Sequence, residues 1–456
     1  MTRSRWMGTT LLLLCVGISS LWSYNFVRDA QGETKMIDFG AIYYGARCGI
    51  QHIDPYDTSA PLREFTAEGG RFPTDPIGAK VGPIVIRTGV NLPTSLFLLA
   101  PFALLPWGFS QTVWMVLTAA LLALAASLIW DLGANAAPVI LVCLAGLMLA
   151  NCEELLVSGN LAGIAVSLCV VAVWCFLTER HSLAGVLLLA ISLVLKPHDS
   201  GFVWLYFLLA GGALRKRALQ TLAVVGILGL LAAIWIAPSS PHWIQELHRN
   251  LSLISARGGL NDPGPSGLSN GIVAQIISMQ AVIGVLRNDP RFYNLASYLI
   301  VGSLILVWSF VVLRKRASQE RTRLALAAIA VLSLLPVYHR PYDAKLLLLA
   351  LPACAMLWKE GGPRRWIALA LTSAGILVTS DIPITLLLIC TKNLSISAST
   401  LAGKMMTVLL LRPAPLILLA LGCFYLWVYA HYNPPTVVLS LKNDAANEPT
   451  VAATAH

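Results

Sequence analysis

The sequence predicts an all-α polytopic membrane protein with roughly twelve transmembrane helices. Hydrophobic residues make up 57% of its 456 residues, charged residues make up 12%, and the mean hydropathy is +0.73. Apolar runs recur along the chain, and lipid tolerates such runs only when their backbone groups are paired within helices. These observations exclude a soluble domain. They predict one integral-membrane domain over residues 1–430 and a disordered polar tail over residues 431–456.

The basic residues predict the orientation of these helices. The net charge of +10 is dispersed over short loops, a pattern that indicates the cytoplasmic side of a membrane and not a nucleic-acid surface. The clusters lie at Arg3, Arg180, Arg215, Arg314 and Arg364. With all of them inside, both termini are cytoplasmic. The predicted spans are then 8–25, 110–130, 136–151, 161–178, 183–196, 199–213, 218–237, 293–313, 324–338, 343–358, 366–380 and 413–430.

The first predicted span leads into a charged outer segment. A cleaved signal peptide would also begin with Arg3 and Arg5, but no small-residue cleavage site precedes the charged segment, so an uncleaved span is preferred. Residues 28–90 then form the first extracytoplasmic loop, which carries 15 of the 54 formal charges. Residues 238–292, rich in proline and glycine, form the second extracytoplasmic loop. The topology of residues 381–412 stays open.

Residues 91–107 (NLPTSLFLLAPFALLPW) are predicted to form a juxtamembrane helix on the outer side. The run is short for about 30 Å of hydrocarbon, and Pro93, Pro101 and Pro106 interrupt it. A complete span here would also place Arg180 outside. We therefore expect this helix to lie at half depth.

Polar residues interrupt the apolar helices at four places on the predicted outer side. Ionisable groups at membrane depth cost roughly 2.5–3.5 kcal/mol each, so they usually face a cavity and mark function. The four groups are Asp38, Glu153 and Glu154 with Asn160, Lys196 with His198, and His339 with Arg340. Because all four are predicted on one face, we expect them to converge.

Each group also has a purely structural interpretation. Asp38 suits the N-cap of an amphipathic helix, and Lys196 can extend its ammonium group toward lipid headgroups. His339 and Arg340 would equally suit a structural lipid phosphate. The nearby stretch HIDPYD (52–57) is predicted to be a turn in which the aspartates bind the backbone.

A carboxylate and several cations around a cavity suit transfer of a sugar from a polyprenyl phosphate carrier. Lys196, His339 and Arg340 would bind the phosphate. Asp38 would take the proton from the acceptor hydroxyl that attacks the anomeric carbon. One base with in-line displacement predicts inversion at the sugar. A monophosphate donor needs no metal to neutralise it, and the sequence shows no recognisable metal-ligand set, so no cofactor is expected and a divalent metal is disfavoured.

Four stretches in order resemble glycosyltransferase family 87. They are IDFGAIYYGARCGIQHIDPYD, NLPTSLFLLAPFALLPW, VSGNLAGIAVSL and LVLKPHDSGFVWLYFLL, and the resemblance runs from about residue 8 to residue 430. It implies a GT-C fold and an activity similar to that of polyprenyl-phosphomannose-dependent mannosyltransferases. It also implies that Asp38 is the catalytic base and that Lys196 and His339 belong to the site. The candidate substrate-binding residues are Tyr43, Tyr44, Glu153, Glu154, Asn160 and His198.

The predicted function is therefore transfer of a hexosyl group, expected to be mannosyl. The predicted location is the cell (inner) membrane, with the active site on the extracytoplasmic side. Expected partners are membrane lipids, the polyprenyl-phosphate sugar and a glycan or glycolipid acceptor. A secondary transporter or lipid flippase is the alternative, although the chain shows no internal repeat. A noncatalytic membrane scaffold is a third hypothesis.

The cysteines carry little functional information. Most of the nine lie inside apolar runs, where they behave as small hydrophobic residues. Cys48 and Cys152 lie outside those runs, and whether they pair stays open.

Overall fold

The computed structural model describes residues 3–28, 35–74, 78–268, 275–391 and 400–433. Across these ranges every regular element is helical, which confirms the predicted all-α class. The predicted disordered tail falls outside the described residues from position 434 onward. Positions 392–399, within the segment of open topology, also fall outside them.

The helices follow one another with short connections. The first part of the chain contains α1 (Arg3–Arg28), α2 (Ile37–Ile50), α3 (Ala60–Ala67), α4 (Gly78–Arg87), α5 (Pro93–Ala103), α6 (Trp107–Gly133), α7 (Pro138–Leu149), α8 (Glu153–Ser158), α9 (Ala162–Leu177), α10 (Ser182–Leu195), α11 (Pro197–Ala210) and α12 (Gly212–Ile236). The second part contains α13 (Trp243–Ser255), α14 (Met279–Leu286), α15 (Pro290–Arg314), α16 (Gln319–Leu332), a 3₁₀ helix (Pro341–Ala350), α17 (Leu351–Glu360), α18 (Pro363–Leu377), α19 (Asp381–Thr391), α20 (Leu401–Met406), a π-helical turn (Thr407–Leu411) and α21 (Ala414–His431).

Each of the twelve predicted spans coincides with helical structure, but the helices differ in length. Within the described residues, five helices are long and apolar enough to cross a membrane: α6, α12, α15, the continuous Pro341–Glu360 segment and α21. The pair α18 and α19, bent by 71°, makes a sixth if it counts as one span. The 12 residues of α7 extend roughly 18 Å, less than the hydrocarbon thickness. The number of twelve crossings therefore stays a prediction.

The centre of the bundle is formed by α9, α16 and the 3₁₀ helix. Fourteen of the 16 residues of α9 and all ten of the 3₁₀ helix are buried. The helix α9 packs against α6 and α10, while α16 packs against α21 and the 3₁₀ helix, which explains why these segments are apolar on every side. The outer helices α12 and α15 instead expose large apolar side chains, among them Ile227, Leu230, Ile234, Leu299 and Leu306. Such a surface requires an apolar solvent, which agrees with a multi-pass membrane protein.

The first predicted outer loop is a compact helical layer. The helix α2 packs against α3, α4 and α5, and α5 corresponds to the predicted juxtamembrane helix with 11 residues. The Asn250 side chain on α13 donates to the carbonyls of Tyr56 at 3.0 Å and Gly89 at 3.1 Å, so the second outer loop is joined to the first. The predicted turn is confirmed, since Asp54 accepts a hydrogen bond from the Tyr56 amide at 2.9 Å.

The thiols of Cys48 and Cys152 are both buried and free. The open question of their pairing is therefore answered, because no disulfide joins them.

Candidate active site

A cavity of about 720 Å³ lies where the helical layer of the first outer loop meets the bundle. Its wall is built from the start of α2, from α4, from α8 and the residues after it, from the α10–α11 junction, and from the chain around Tyr338 to Tyr342. The cavity brings together the following predicted site residues: Asp38, Glu154, Asn160, Lys196, His198 and Arg340. Glu153, His339, Tyr43 and Tyr44 do not line it among the residues that the structure describes.

Asp38 is held in the first turn of α2 by contacts with α8. The Met36 amide donates to the Val157 carbonyl at 2.9 Å, and Met36 itself has a positive φ of 59°. Gly159, which ends α8 with φ 68°, allows the close approach of α2, because a Cβ there would lie 2.7 Å from the Phe39 Cβ. The ring of Phe39 stacks on Trp114 with centroids 4.7 Å apart. The carboxylate of Asp38 is thus positioned by backbone and packing outside the cavity.

Asn160 connects the carboxylate of Asp38 with the ammonium group of Lys196. Its Nδ2 donates to Asp38 Oδ2 at 2.7 Å, and its Oδ1 accepts from the Lys196 Nζ at 3.3 Å and from the Ala162 amide at 2.9 Å. Two donors on Oδ1 determine the orientation of the amide, so the nitrogen must face Asp38. The amide therefore orients the acid relative to the cation.

Lys196 lies at the break between α10 and α11, which Pro197 enforces because it supplies no amide hydrogen to continue α10. The side chain is 10% exposed, and its ammonium group pairs with Asp343 and, at 3.6 Å, with Asp199. Asp343 Oδ2 also accepts the backbone amide of Arg340 at 2.7 Å. Lys196 lines the cavity, but two carboxylates already compensate its charge.

Arg340 is buried and presents its guanidinium group to neutral oxygens. It donates to the Tyr338 hydroxyl, to the Leu260 carbonyl at 3.2 Å and to Asn261 Oδ1 at 3.3 Å. It lines the cavity, and its charge favours the ionised form of Asp38. Of the three predicted phosphate ligands, Arg340 is the cation at the wall with neutral partners of this kind.

The two histidines of the site lie one behind the other. The His198 side chain is 33% exposed and lines the cavity, whereas His339 is fully buried. Their rings meet edge to face with centroids 5.0 Å apart. Direct contact of His339 with a phosphate in the cavity, which the sequence predicted, stays a prediction that its position does not support.

The acidic pair on α8 divides between two surroundings. Glu154 lines the cavity, and its amide donates to Asp381 Oδ2 at 2.9 Å. Burial, reinforced by Asp381 and Asp38, raises the pKa of Glu154 to about 7. Burial also raises the pKa of Glu153, which lies outside the described wall. Glu154 is therefore an acid beside the cavity that is half ionised near neutral pH.

Tyr43 and Tyr44 pack in an aromatic cluster on the far side of α2. The Tyr43 hydroxyl donates to the Leu105 carbonyl at 2.7 Å, and the Tyr44 hydroxyl donates to Glu68 at 3.3 Å. Both side chains are at most 1% exposed. The structure gives them packing roles, and contact of these tyrosines with a substrate stays a prediction without support from their position.

Burial raises the pKa of Asp38 above its ordinary value, while the hydrogen bond from Asn160 and the charges of Arg340 and Lys196 oppose this rise. The position in the first turn of α2 also favours the ionised form. A carboxylate with a raised pKa that lines a cavity is suited to accept a proton.

Sequence analysis missed three contributors to the wall. Tyr338 belongs to the same polar stretch as His339 and was not selected, although it binds Arg340. Asn261 and Leu260 lie in a glycine- and proline-rich loop with no recognisable motif, so no local signal identifies them. Only the fold brings that loop to Arg340.

A charged, half-enclosed cavity at helix breaks within an apolar helical body defines a membrane protein with an enzyme-like site. The family model of glycosyltransferase family 87 matches residues 91–337, more than half of the chain, so the chain belongs to this family and is a membrane glycosyltransferase. No curated protein and no solved structure matches the chain.

The matched range is narrower than the predicted resemblance over residues 8–430. It contains Glu154, Asn160, Lys196 and His198. Asp38 lies before it, and Arg340 lies after it. The family match therefore supports the reaction class, whereas the role of Asp38 depends on the geometry of the cavity.

Proposed function

We propose that this chain moves a hexosyl group, mannosyl in the first instance, from a polyprenyl phosphate carrier to a hydroxyl of a lipid-linked or cell-envelope glycan. The transfer takes place on the outer face of the cell membrane. The observation that carries the proposal is Asp38, whose carboxylate lines the cavity, binds Asn160 and lies in the field of Arg340 and Lys196. A base close to cations is what displacement of a phosphate by a hydroxyl requires.

The composition of the wall supports a lipid-borne donor. Its volume falls within the roughly 300–1,000 Å³ of pockets that hold small ligands. Apolar residues dominate the side formed by α4, α8 and α13, namely Val81, Ile84, Val85, Val157, Leu161, Leu251 and Ile254. A polyprenyl chain would pack on this side, while the sugar and the phosphate reach the polar end.

Arg340 is the preferred phosphate ligand. A guanidinium group binds phosphate oxygens in a bidentate manner, and the partners of Arg340 described above are neutral oxygens that leave its positive charge uncompensated. Lys196 contributes less, because Asp199 and Asp343 oppose its charge. We assign His339 no direct contact with the phosphate, because it lies behind the wall.

The reaction then follows from the positions of these groups. Asp38 accepts the proton of the acceptor hydroxyl as its oxygen forms a bond to the anomeric carbon. The bond from that carbon to the phosphate oxygen breaks, and its electron pair leaves with the polyprenyl phosphate, which Arg340 stabilises. Attack opposite to the leaving group inverts the configuration at the sugar.

The test compares Asp38→Asn with Asp57→Asn in purified full-length protein, using polyprenyl-phosphate mannose and membrane glycolipid acceptors. Both variants remove one carboxylate from the first outer loop, but Asp57 is exposed and lies in a turn. We expect Asp38→Asn to lower kcat by roughly 10²- to 10⁴-fold, with Asp57→Asn at the wild-type rate. Polyprenyl-phosphate glucose in parallel determines the sugar.

Normal turnover by Asp38→Asn would remove this residue from the role of base. Solute flux into proteoliposomes without glycosyl product would favour the transporter hypothesis instead. The configuration of the product, measured by NMR, tests inversion separately.

A further inference from the structure

His198, Asp199 and His339 bring three metal-ligating side chains together behind the Lys196 end of the cavity. One ligand atom from each lies within 4.8 Å of the other two. His198 Nε2 is 3.7 Å and His339 Nε2 is 3.5 Å from the same Asp199 oxygen, Oδ1. Within the described residues, no other group of three such side chains meets in this way.

The polar atoms that face one another in this cluster have no hydrogen-bond partner among the described residues. They are Nε2 of both histidines and both carboxylate oxygens of Asp199. The side chains of Asp199 and His339 are completely buried. Leaving buried polar groups unpaired costs free energy, roughly 1–3 kcal/mol each and more for charged groups, so the arrangement indicates a missing partner.

The separations distinguish a metal ion from a direct hydrogen bond. Hydrogen bonds between nitrogen and oxygen span roughly 2.7–3.2 Å, and both His–Asp distances exceed this range. Ligands about 2.0–2.1 Å from a tetrahedral Zn²⁺ lie roughly 3.3–3.5 Å from one another. The two measured distances are close to this value, and a small rotation of the partly exposed His198 would complete the fit.

The tautomer of His339 also suits a ligand. Its Nδ1 lies 3.1 Å from the Val337 carbonyl, which requires the proton on Nδ1 and leaves the Nε2 lone pair directed at Asp199. Metal-binding histidines commonly donate their second ring nitrogen to a backbone carbonyl in this manner.

We propose that His198, Asp199 and His339 bind one divalent metal ion, for which Zn²⁺ is the best fit. Two imidazoles and one carboxylate form a donor set that zinc accepts with a further position left open. The ion also improves the charge balance, because one ammonium group, Lys196, faces two carboxylates, Asp199 and Asp343. A divalent ion changes the net charge of that group from negative to positive. The inference stands independently of the proposed transfer reaction.

The experiment measures metal content in purified full-length protein. The protein is stripped with chelator in detergent, incubated with Zn²⁺, freed of excess ion and analysed by inductively coupled plasma mass spectrometry. We expect about one Zn²⁺ per wild-type chain, and a loss of that ion in Asp199→Asn and in His339→Gln. The matched control is His431→Gln, since His431 also places Nδ1 2.9 Å from a backbone carbonyl, that of Trp427, but is exposed. It should retain the ion.

Wild-type protein without stoichiometric zinc, or variants that bind as much as the wild type, would overturn the proposal. If the two buried variants do not purify as folded protein, His198→Gln at the cavity wall decides in their place. Stoichiometric Mn²⁺ without Zn²⁺ would overturn the assignment of zinc. Asp38→Asn should bind zinc like the wild type, so a failure of the metal site and a failure of the transferase proposal are distinguishable.

Discussion

The two ends of the cavity hold charges under different constraints. At one end, the Asp38 carboxylate is bound by a neutral amide, that of Asn160, and lines the cavity. At the other end, the Lys196 ammonium group is shared by the carboxylates of Asp199 and Asp343. A buried charge with opposite charges around it mainly maintains structure, whereas a charge with a neutral partner remains available to a substrate. The comparison assigns chemistry to the Asp38 end and support to the Lys196 end.

The largest expected effect breaks the Lys196 end. Lys196→Met removes the cation and leaves two buried carboxylates without compensation, which should lower the free energy of unfolding by roughly 3–5 kcal/mol. The measurement is thermal or denaturant unfolding in detergent. Lys216→Met, which removes an exposed lysine from α12, should be neutral. Unchanged stability of Lys196→Met would contradict the assignment of a structural role.

The second prediction breaks the connection between the two ends. Asn160→Ala removes the amide that orients Asp38, and displacement of a base by about 1 Å costs roughly 10²-fold in rate. We expect kcat to fall by about that factor, with stability nearly unchanged, in the transfer assay with saturating donor. A variant that transfers at the wild-type rate would show that Asp38 is positioned without Asn160.

The third prediction removes support from the Asp38 end. Gly159→Ala introduces a side chain at a positive φ and places a Cβ 2.7 Å from the Phe39 Cβ. Backbone strain of this kind costs roughly 1–3 kcal/mol, so we expect a lower unfolding midpoint and a lower rate together. Gly201→Ala is the control, because its Cβ meets nothing within 4 Å. Equal behaviour of both variants would exclude a special role for Gly159.

The smallest expected effect is on pH dependence. Asp38 must be ionised to accept a proton, and burial raises its pKa, so kcat/KM should rise with pH through a pKa above that of an ordinary aspartate. Arg340 lowers this pKa, and Arg340→Gln should therefore move the acidic limb to higher pH. Pre-steady-state transfer between pH 4 and pH 8 measures the limb. A shift to lower pH in the variant would contradict the proposed proximity.

Much of the fold was predictable because one physical constraint dominates it. Apolar segments must become helices in lipid, and the twelve predicted spans coincide with helical structure. Lengths were less predictable, since short helices such as α7 are buried by neighbours rather than by lipid alone. The polar breaks at Asp38, Asn160 and Lys196 were recognisable because ionisable or polar residues are rare in such runs.

Other parts of the site had no local signal. The pairing of Lys196 with Asp343 joins residues 147 positions apart, and the contact between Arg340 and Asn261 joins a motif to an unremarkable loop. Tyr43 and Tyr44 appeared to belong to the site because they follow Asp38 in the chain. Helical geometry instead turns their side chains toward α3 and α5, away from the cavity.

The sequence by itself determined the helical class, the membrane environment and the family, because composition, charge distribution and the order of motifs are properties of the chain alone. Only the tertiary structure decided which charges are compensated. Asp38 and Lys196 look equally conspicuous in an apolar sequence, but their reactivity depends on the partners that packing places within a few ångströms. Those partners, like the cluster of His198, Asp199 and His339, come from distant segments that meet only in the folded protein.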